Sequence, residues 1–235
     1  MVKGSRLSAQ ERRISILLAA IPLFAKNGFN GTTTKQIAAA ARVSEALIYR
    51  HFPSKESIYM ELKDFCCIKK DEVTSQIERL TPSTSTLVHA IYFLVSVIFI
   101  GEENENLSHK DMHRLMANSY LEDGGFARLF IEENVQIWVP ILSKCFDAAK
   151  AAGDVIEPWI DSRCSWWFAH HLAVALGFLN LPREPVIQYG VTRESLLDQA
   201  VRFCLRGMGL TDAAIKTHYN PAALTLFGRG FGLEI

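Results

Sequence analysis

With 235 residues, 49% of them apolar and 21% charged, the chain has ordinary globular composition and can bury a full core. Its 25 basic and 25 acidic residues cancel, but not evenly. Residues 1–60 hold nine Lys/Arg against three acids, so the first quarter carries +6 and the remainder −6. A basic head on an acidic body suits contact with a polyanion, because phosphate neutralisation dominates nucleic-acid affinity. The longest apolar run, Leu87 to Ile100, is interrupted by His89 and Ser96 and is too short to cross a bilayer. Met1 to Ser8 is polar and basic, with no apolar core or small-residue cleavage site, so no secretory leader and no membrane partner is expected. Five cysteines (Cys66, Cys67, Cys145, Cys164, Cys204) fit no metal-ligand spacing and read as reduced cytoplasmic thiols.

In chain order, Ser8 and Glu11 form a capping box for a first helix. Ile14, Leu17, Leu18, Ile21 and Phe24 repeat in it at helical spacing, Pro22 is expected to bend it, and Gly28 closes it. Thr33 opens a second helix with Ile37, Ala38 and Ala41 on one face. Ala41-Arg42-Val43 makes a bend, and Ser44 caps a third helix whose first turn holds Glu45, where a carboxylate suits the dipole. Two short helices about a three-residue turn, with small Ala38 where they cross, define a helix-turn-helix.

A connecting helix then runs from about Ser54 to Leu80, and Thr81-Pro82-Ser83-Thr84-Ser85 breaks it. The helix at about 85–100 is apolar nearly all round and hence central. Beyond an acidic loop at Gly101–Asn106, Ser108 and Asp111 cap a short helix, which Asp123-Gly124-Gly125 interrupts. A long helix from about Phe126 to Ala152 is expected to kink at Pro140. Asp154–Ile160 is loop, helices follow at about 161–181 and 192–208, and the segment from Thr211 has weak periodicity. The expected fold is all-α with about nine helices. Its parts are a head at 1–55, a connecting helix at 56–80, a regulatory and dimerisation body at 81–210 and a tail at 211–235.

The ordered residues Gly28-Phe29, Thr32-Thr33, Ile37-Ala38, Val43-Ser44, Tyr49, His51-Phe52 and Lys55 carry more than a bare helix-turn-helix. Over about residues 10–60, without a gap, they resemble the DNA-binding domain of TetR-family transcriptional regulators. That family shows a Gly-aromatic-x-x-Thr-Thr entry, an Ile-Ala pair, a Val-Ser turn and a Tyr-x-His/Tyr-Phe-x-x-Lys exit. One departure is Arg42, where the family usually has glycine. If the backbone there is left-handed, arginine costs on the order of 1 kcal/mol.

The matched positions give an expected DNA contact set. Thr33, Thr34 and Lys35 can clamp phosphate at the start of the second helix. Ser44, Glu45, Ala46 and Leu47 lead the recognition helix, where Glu45 can accept from a cytosine amino group and Ala46 or Leu47 can touch a thymine methyl. The resemblance implies phosphate contacts for Tyr49, His51 and Lys55, while Arg50 can serve backbone or base. It also implies a homodimer built on the last two strong helices, and one recognition helix reads too few base pairs alone. Ala169, Ala173, Gly177, Leu197, Ala200, Val201, Cys204 and Met208 form the expected interface.

TetR-like bodies usually hold an inducer pocket, and its residues follow no transferable motif. Tyr92, Phe99, His113, Met116, Phe130, Trp138, Trp166 and Trp167 are the candidates for a small apolar or aromatic effector, each also an ordinary core residue. His109 with His113, and His170 with His171, lack further ligands at fixed spacing, so no metal and no cofactor is expected. The chain has no Gly-rich phosphate loop, nucleophile elbow or metal-hydrolase motif, which argues against an enzyme. The expected function is a repressor that binds a palindromic operator on double-stranded DNA and is released by a small molecule. The alternatives are a DNA-binding regulator controlled by a protein partner or by redox at Cys66-Cys67, an adaptor protein, or an all-helical enzyme.

Overall fold

The computed structural model describes residues 7–66, 70–101, 108–156, 161–220, 223–224 and 226–227, with the side chains of 63–66, 70–72 and 162 outside that description. Among the described residues there are twelve α-helices and one 3-10 turn, and the one β-type pairing is a bridge between Val155 and Leu210. The all-α expectation holds. Beyond the nine, one helix comes from the expected long helix at about 126–152, and one is a short helix at Asp212–His218. A third comes from counting the connecting helix on either side of residues 67–69. Residues 54–80 hold α4 (Lys55–Cys66) and α5 (Lys70–Glu78), with the stretch between them outside the described residues. Residues 125–151 give α8 (Gly125–Asn134), a 3-10 turn at Gln136–Trp138 and α9 (Val139–Ala151). Pro140 lies in the first turn of α9 rather than at a kink, because a first-turn residue needs no backbone donor. The Cys66-Cys67 pair and most of the expected loops at 101–106 and 154–160 lie outside the described side chains or residues.

The chain divides into two compact units. The first comprises Met1–Ile68 and Glu103–Asn134. It contains α1 (Ala9–Asn27), α2 (Thr34–Ala40), α3 (Glu45–His51), α4, α7 (His109–Leu121) and α8. The capping box forms as expected, with the Glu11 amide donating to Ser8 Oγ at 3.2 Å and the Ser8 amide to the Glu11 carboxylate at 2.7 Å. Ser108, in contrast, makes no side-chain cap on α7. The sequence placed α7 and α8 in a contiguous body. Instead α7 packs along α1, and α8 along α4, because Leu115, Met116, Phe126 and Ala127 complete the core around Ile16, Leu17 and Phe24. Asn118 Nδ2 also donates to the carbonyls of Phe24 and Ala25 at 3.1 and 2.9 Å, satisfying acceptors at the end of α1.

The second unit comprises Lys69–Glu102 and Val135–Ile235. Its centre is α6 (Thr84–Phe99), which buries Leu87, Val88, Ile91, Val95 and Phe99. Around it pack α9, α10 (Ser162–Leu179), α11 (Arg193–Gly207) and α12 (Asp212–His218). Ser83 caps α6, and Arg193 Nη2 donates to the Phe99 carbonyl at 2.7 Å at its other end. The segment after Thr211 is ordered further than its periodicity suggested. Thr211 caps α12, and Tyr219 is buried beneath the Arg202 guanidinium, 4.3 Å from the ring centre. None of the described helices is long and apolar enough to cross a membrane.

Candidate nucleic-acid interface

The α2–α3 corner is built from its caps inward. Thr33 Oγ1 accepts from the Gln36 amide at 3.2 Å while Gln36 Oε1 accepts from the Thr33 amide at 2.8 Å, a reciprocal box that starts α2. At the other end the Val43 amide donates to the Ala38 carbonyl at 2.9 Å and the Arg42 amide to that of Ala39 at 3.2 Å. This pair of bonds is a Schellman turn, which requires its penultimate residue to be left-handed. Arg42 accordingly has φ of 55°, and among the described residues no other non-glycine has a positive φ. Ser44 Oγ then accepts from the Leu47 amide at 3.2 Å and begins α3. Ile37, Ala38, Ile48 and Phe52 bury the inner face, leaving Glu45, Ala46, Tyr49 and Arg50 on the exposed one.

Several expected phosphate ligands do structural work as well. Lys55 Nζ donates to the carbonyls of Phe29 and Thr32 at 2.8 and 2.9 Å, and lies 4.1 Å from the centre of the Phe29 ring. It pins the 28–33 turn and retains one N–H for a further acceptor. Gly28 begins that turn with φ of 71°, and a Cβ there would lie 2.7 Å from Glu122 Oε1. Thr33 spends its hydroxyl on the cap. Thr34 Oγ1 lies 2.5 Å from Glu45 Oε1 and 3.3 Å from the Tyr49 hydroxyl, tying the start of α2 to the leading end of α3. Thr33, Thr34, Tyr49 and Lys55 line one open depression on this face. Lys35, Ala46 and Arg50 are exposed, and Leu47 and His51 are half-buried.

Arg13 is a supporting residue that sequence reasoning missed. It forms a two-pronged ion pair with Glu61, donates to the His51 carbonyl and stacks 4.2 Å from the centre of the Phe52 ring. It thereby joins α1, the end of α3 and α4. No sequence signal separates it from neighbouring Arg12, because its partners lie 38 and 48 residues away.

The other candidates divide between the units. His113, Met116 and Phe130 belong to the first, where His113 Nδ1 lies 3.1 Å from the His109 carbonyl. Among the described residues no three His, Cys, Asp or Glu side chains converge as a metal site. Tyr92, Phe99, Trp138, Trp166 and Trp167 belong to the second. Of these, Trp166 and Trp167 share a cleft of about 50 Å³ between α9 and α10. Phe99 is core, Trp138 packs on Phe93, and Tyr92 packs on Tyr219. All eight expected dimer residues are buried within one chain. Within the same chain α10 and α11 pack on each other and both pack on α6. The large apolar side chains that these helices expose are instead Phe168, at 58%, and Phe203, at 70%.

A short helix pair with a buried inner face, an exposed outer face and a capped, left-handed turn defines a helix-turn-helix DNA-binding protein. Residues 16–62 match the family of bacterial regulatory proteins called tetR. The chain is 34% identical over 110 residues to the HTH-type transcriptional regulator HbdR of Aromatoleum sp. (strain CIB), covering 46% of this chain and 48% of HbdR. It is 32% identical over 140 residues to the nucleoid occlusion factor SlmA of Photorhabdus laumondii subsp. laumondii, covering 58% of this chain and 69% of SlmA. The match thus spans about half the length of the first and two thirds of the second. In fold it is similar to AibR, solved with isovaleryl coenzyme A and operator DNA, at a TM-score of 0.57 and 20% identity over 82% of this chain and 97% of AibR. The chain belongs to the tetR family of transcriptional regulators.

Proposed function

We propose that the protein is a repressor that reads a two-fold operator as a homodimer and leaves it when a small apolar or aromatic molecule occupies the second unit. The observation that carries this reading is the exposed face of α3, with Glu45, Ala46, Tyr49 and Arg50 set on a buried, capped corner. Direct readout needs such a rigid helix with short and polar side chains at its leading end. Arg50 and Lys35 supply charge for the duplex backbone. Glu45 keeps one oxygen on Thr34 and offers its other to a cytosine amino group.

The dimer contact moves from the buried stripe to the outer faces of α10 and α11. Phe168 and Phe203 expose large aromatic surface there, which a second copy would cover. A regulator also needs the effector to favour one separation of the paired heads over another, since equal binding to both states shifts nothing. AibR, with its acyl-coenzyme A and operator, is a protein of the same fold that holds both kinds of partner. The relatives HbdR and SlmA are named as DNA-associated factors rather than as enzymes, in keeping with a regulatory role.

Footprinting on fragments upstream of the protein's own gene, with sedimentation in parallel, tests the reading. A protected, two-fold symmetric stretch and a dimer are expected, with Phe203→Glu giving monomers that bind far more weakly. A monomeric wild type, or one that ignores duplex DNA at low salt, would overturn it.

A further inference from the structure

Three side chains cross-link the two helices of the DNA-facing corner. Thr34 opens α2, and Glu45 and Tyr49 lie one turn apart on α3. Thr34 Oγ1 is 2.5 Å from Glu45 Oε1 and 3.3 Å from the Tyr49 hydroxyl. The direction of each bond follows from the hydrogens available. A carboxylate only accepts, so the Thr34 hydroxyl gives its single hydrogen to Glu45. Thr34 Oγ1 is then left as an acceptor, and the Tyr49 O–H is the donor of the second contact. The relay runs from Tyr49 through Thr34 to Glu45 and ends on a charge. Its last link falls in the short range of charge-assisted hydroxyl–carboxylate bonds.

None of the three is buried: Thr34 is half-exposed, and Glu45 and Tyr49 are exposed. Glutamate is long and flexible, and fixing it on one base edge costs side-chain entropy. The Thr34 bond removes part of that freedom before DNA arrives, and such pre-organisation lowers the cost of binding. It also occupies Oε1, so Oε2 is the oxygen left for a base amino group. Docking in the groove expels water, and a hydrogen bond is stronger in the lower dielectric that results. The Tyr49 hydrogen is committed to Thr34. A phosphate oxygen, which needs a donor, can claim it only by breaking the relay.

We infer that Thr34 and Tyr49 are positioning residues for base readout, aligning the Glu45 carboxylate on the amino group of a cytosine, rather than separate clamps on the duplex backbone. This rests on the readout by Glu45 proposed above and names what gives that carboxylate its direction. Preference at one base pair then depends on two neutral hydroxyls, while affinity for any duplex is left to charged groups such as Lys35 and Arg50.

Binding of the full-length protein to a randomised duplex pool, with sequencing of the bound fraction, reads base preference at every position. Wild type is expected to select a cytosine, by about tenfold or more, at a position where Glu45→Ala selects none. Thr34→Val and Tyr49→Phe keep the side-chain shapes and remove one hydroxyl each. Both should lower discrimination at that position about three- to tenfold. Preference elsewhere, the salt slope and the denaturation midpoint should stay near wild type, since no charge is lost. Thr34→Ser keeps the hydroxyl and should restore the preference, which a role for the methyl group alone would not predict. Weaker binding of Thr34→Val and Tyr49→Phe to all duplexes, with preference unchanged, would overturn the inference and make both residues backbone clamps. A Thr34→Ser protein as defective as Thr34→Val would also overturn it. Glu45→Ala separates the two readings. Wild-type preference in that variant, or a wild type that selects no duplex, removes the readout and the relay together. Preference lost in Glu45→Ala but kept in Thr34→Val and Tyr49→Phe leaves the readout standing and removes the relay alone.

Discussion

The DNA-facing corner and the interior around α10 handle polar groups in opposite ways. At the corner most polar side chains are tied to neighbours: Thr33 to Gln36, Thr34 to Glu45, Lys55 to two carbonyls, and Arg13 to Glu61 and His51. In the α6–α10 interior Ser96 Oγ, Trp166 Nε1 and His170 Nδ1 are buried without partners. Satisfied networks fix one geometry, as readout of base edges demands, because a displaced helix loses its contacts together. Unsatisfied buried groups leave a region whose free energy falls when something binds, as a responsive domain requires. Under the proposed function, rigidity and responsiveness fall to separate parts of one chain.

Breaking the rigid part should cost most. Phe24 is fully buried and packs on Phe29 and Tyr59, with ring centres 6.2 and 4.9 Å away. Phe24→Ala is expected to remove about 3–5 kcal/mol from the first unit, seen as a lower denaturation midpoint and loss of DNA binding. A loss under about 1 kcal/mol would show that the core can collapse around the gap.

The second unit is expected to be acid-sensitive through His170. Its folded pKa of about 4 lies below the ordinary 6.5, so the unfolded chain takes up a proton that the folded one refuses. This contribution is complete above pH 6.5 and is lost as the pH falls towards 4. The total loss is on the order of 3 kcal/mol. Urea midpoints measured across that window should fall for wild type and flatten for His170→Leu. Identical slopes would place the sensitivity elsewhere.

Lys55 tests whether one residue serves both structure and DNA. Lys55→Ala should cost about 1 kcal/mol of stability, from two charge-assisted bonds at a half-exposed site. It should also flatten the salt dependence of DNA binding by about one unit. A stability loss with an unchanged slope would confine Lys55 to the turn. Arg42→Gly is the smallest change expected. Relief of about 1–2 kcal/mol of left-handed strain is offset by about 0.4–1 kcal/mol of extra unfolded-state entropy, leaving a net gain of about 0.5 kcal/mol. Chemical denaturation would detect its sign.

The first unit's corner was legible because its determinants are local. Ser8 with Glu11, Thr33, and Ser44 announce helix starts within three residues, and the Ala41–Val43 bend sets a left-handed position at Arg42. The proposed interface at α10 and α11 was not legible in the same way. A stripe of small residues says that another helix approaches closely, but not whether it belongs to the same chain. Here the neighbours of α10 and α11 include α6 of the same chain, and all eight stripe residues are buried without a second copy. Arg13, Asn118 and Arg193 likewise gain their parts from carbonyls and carboxylates 38 to 94 residues away. By itself the sequence determined most of the helices, the caps at Ser8, Thr33 and Ser44 and the reading head, since those depend on neighbours within a turn or two. Only the tertiary structure decided which apolar faces close on each other and which polar atoms are left unmet, because burial is a property of everything that surrounds a side chain.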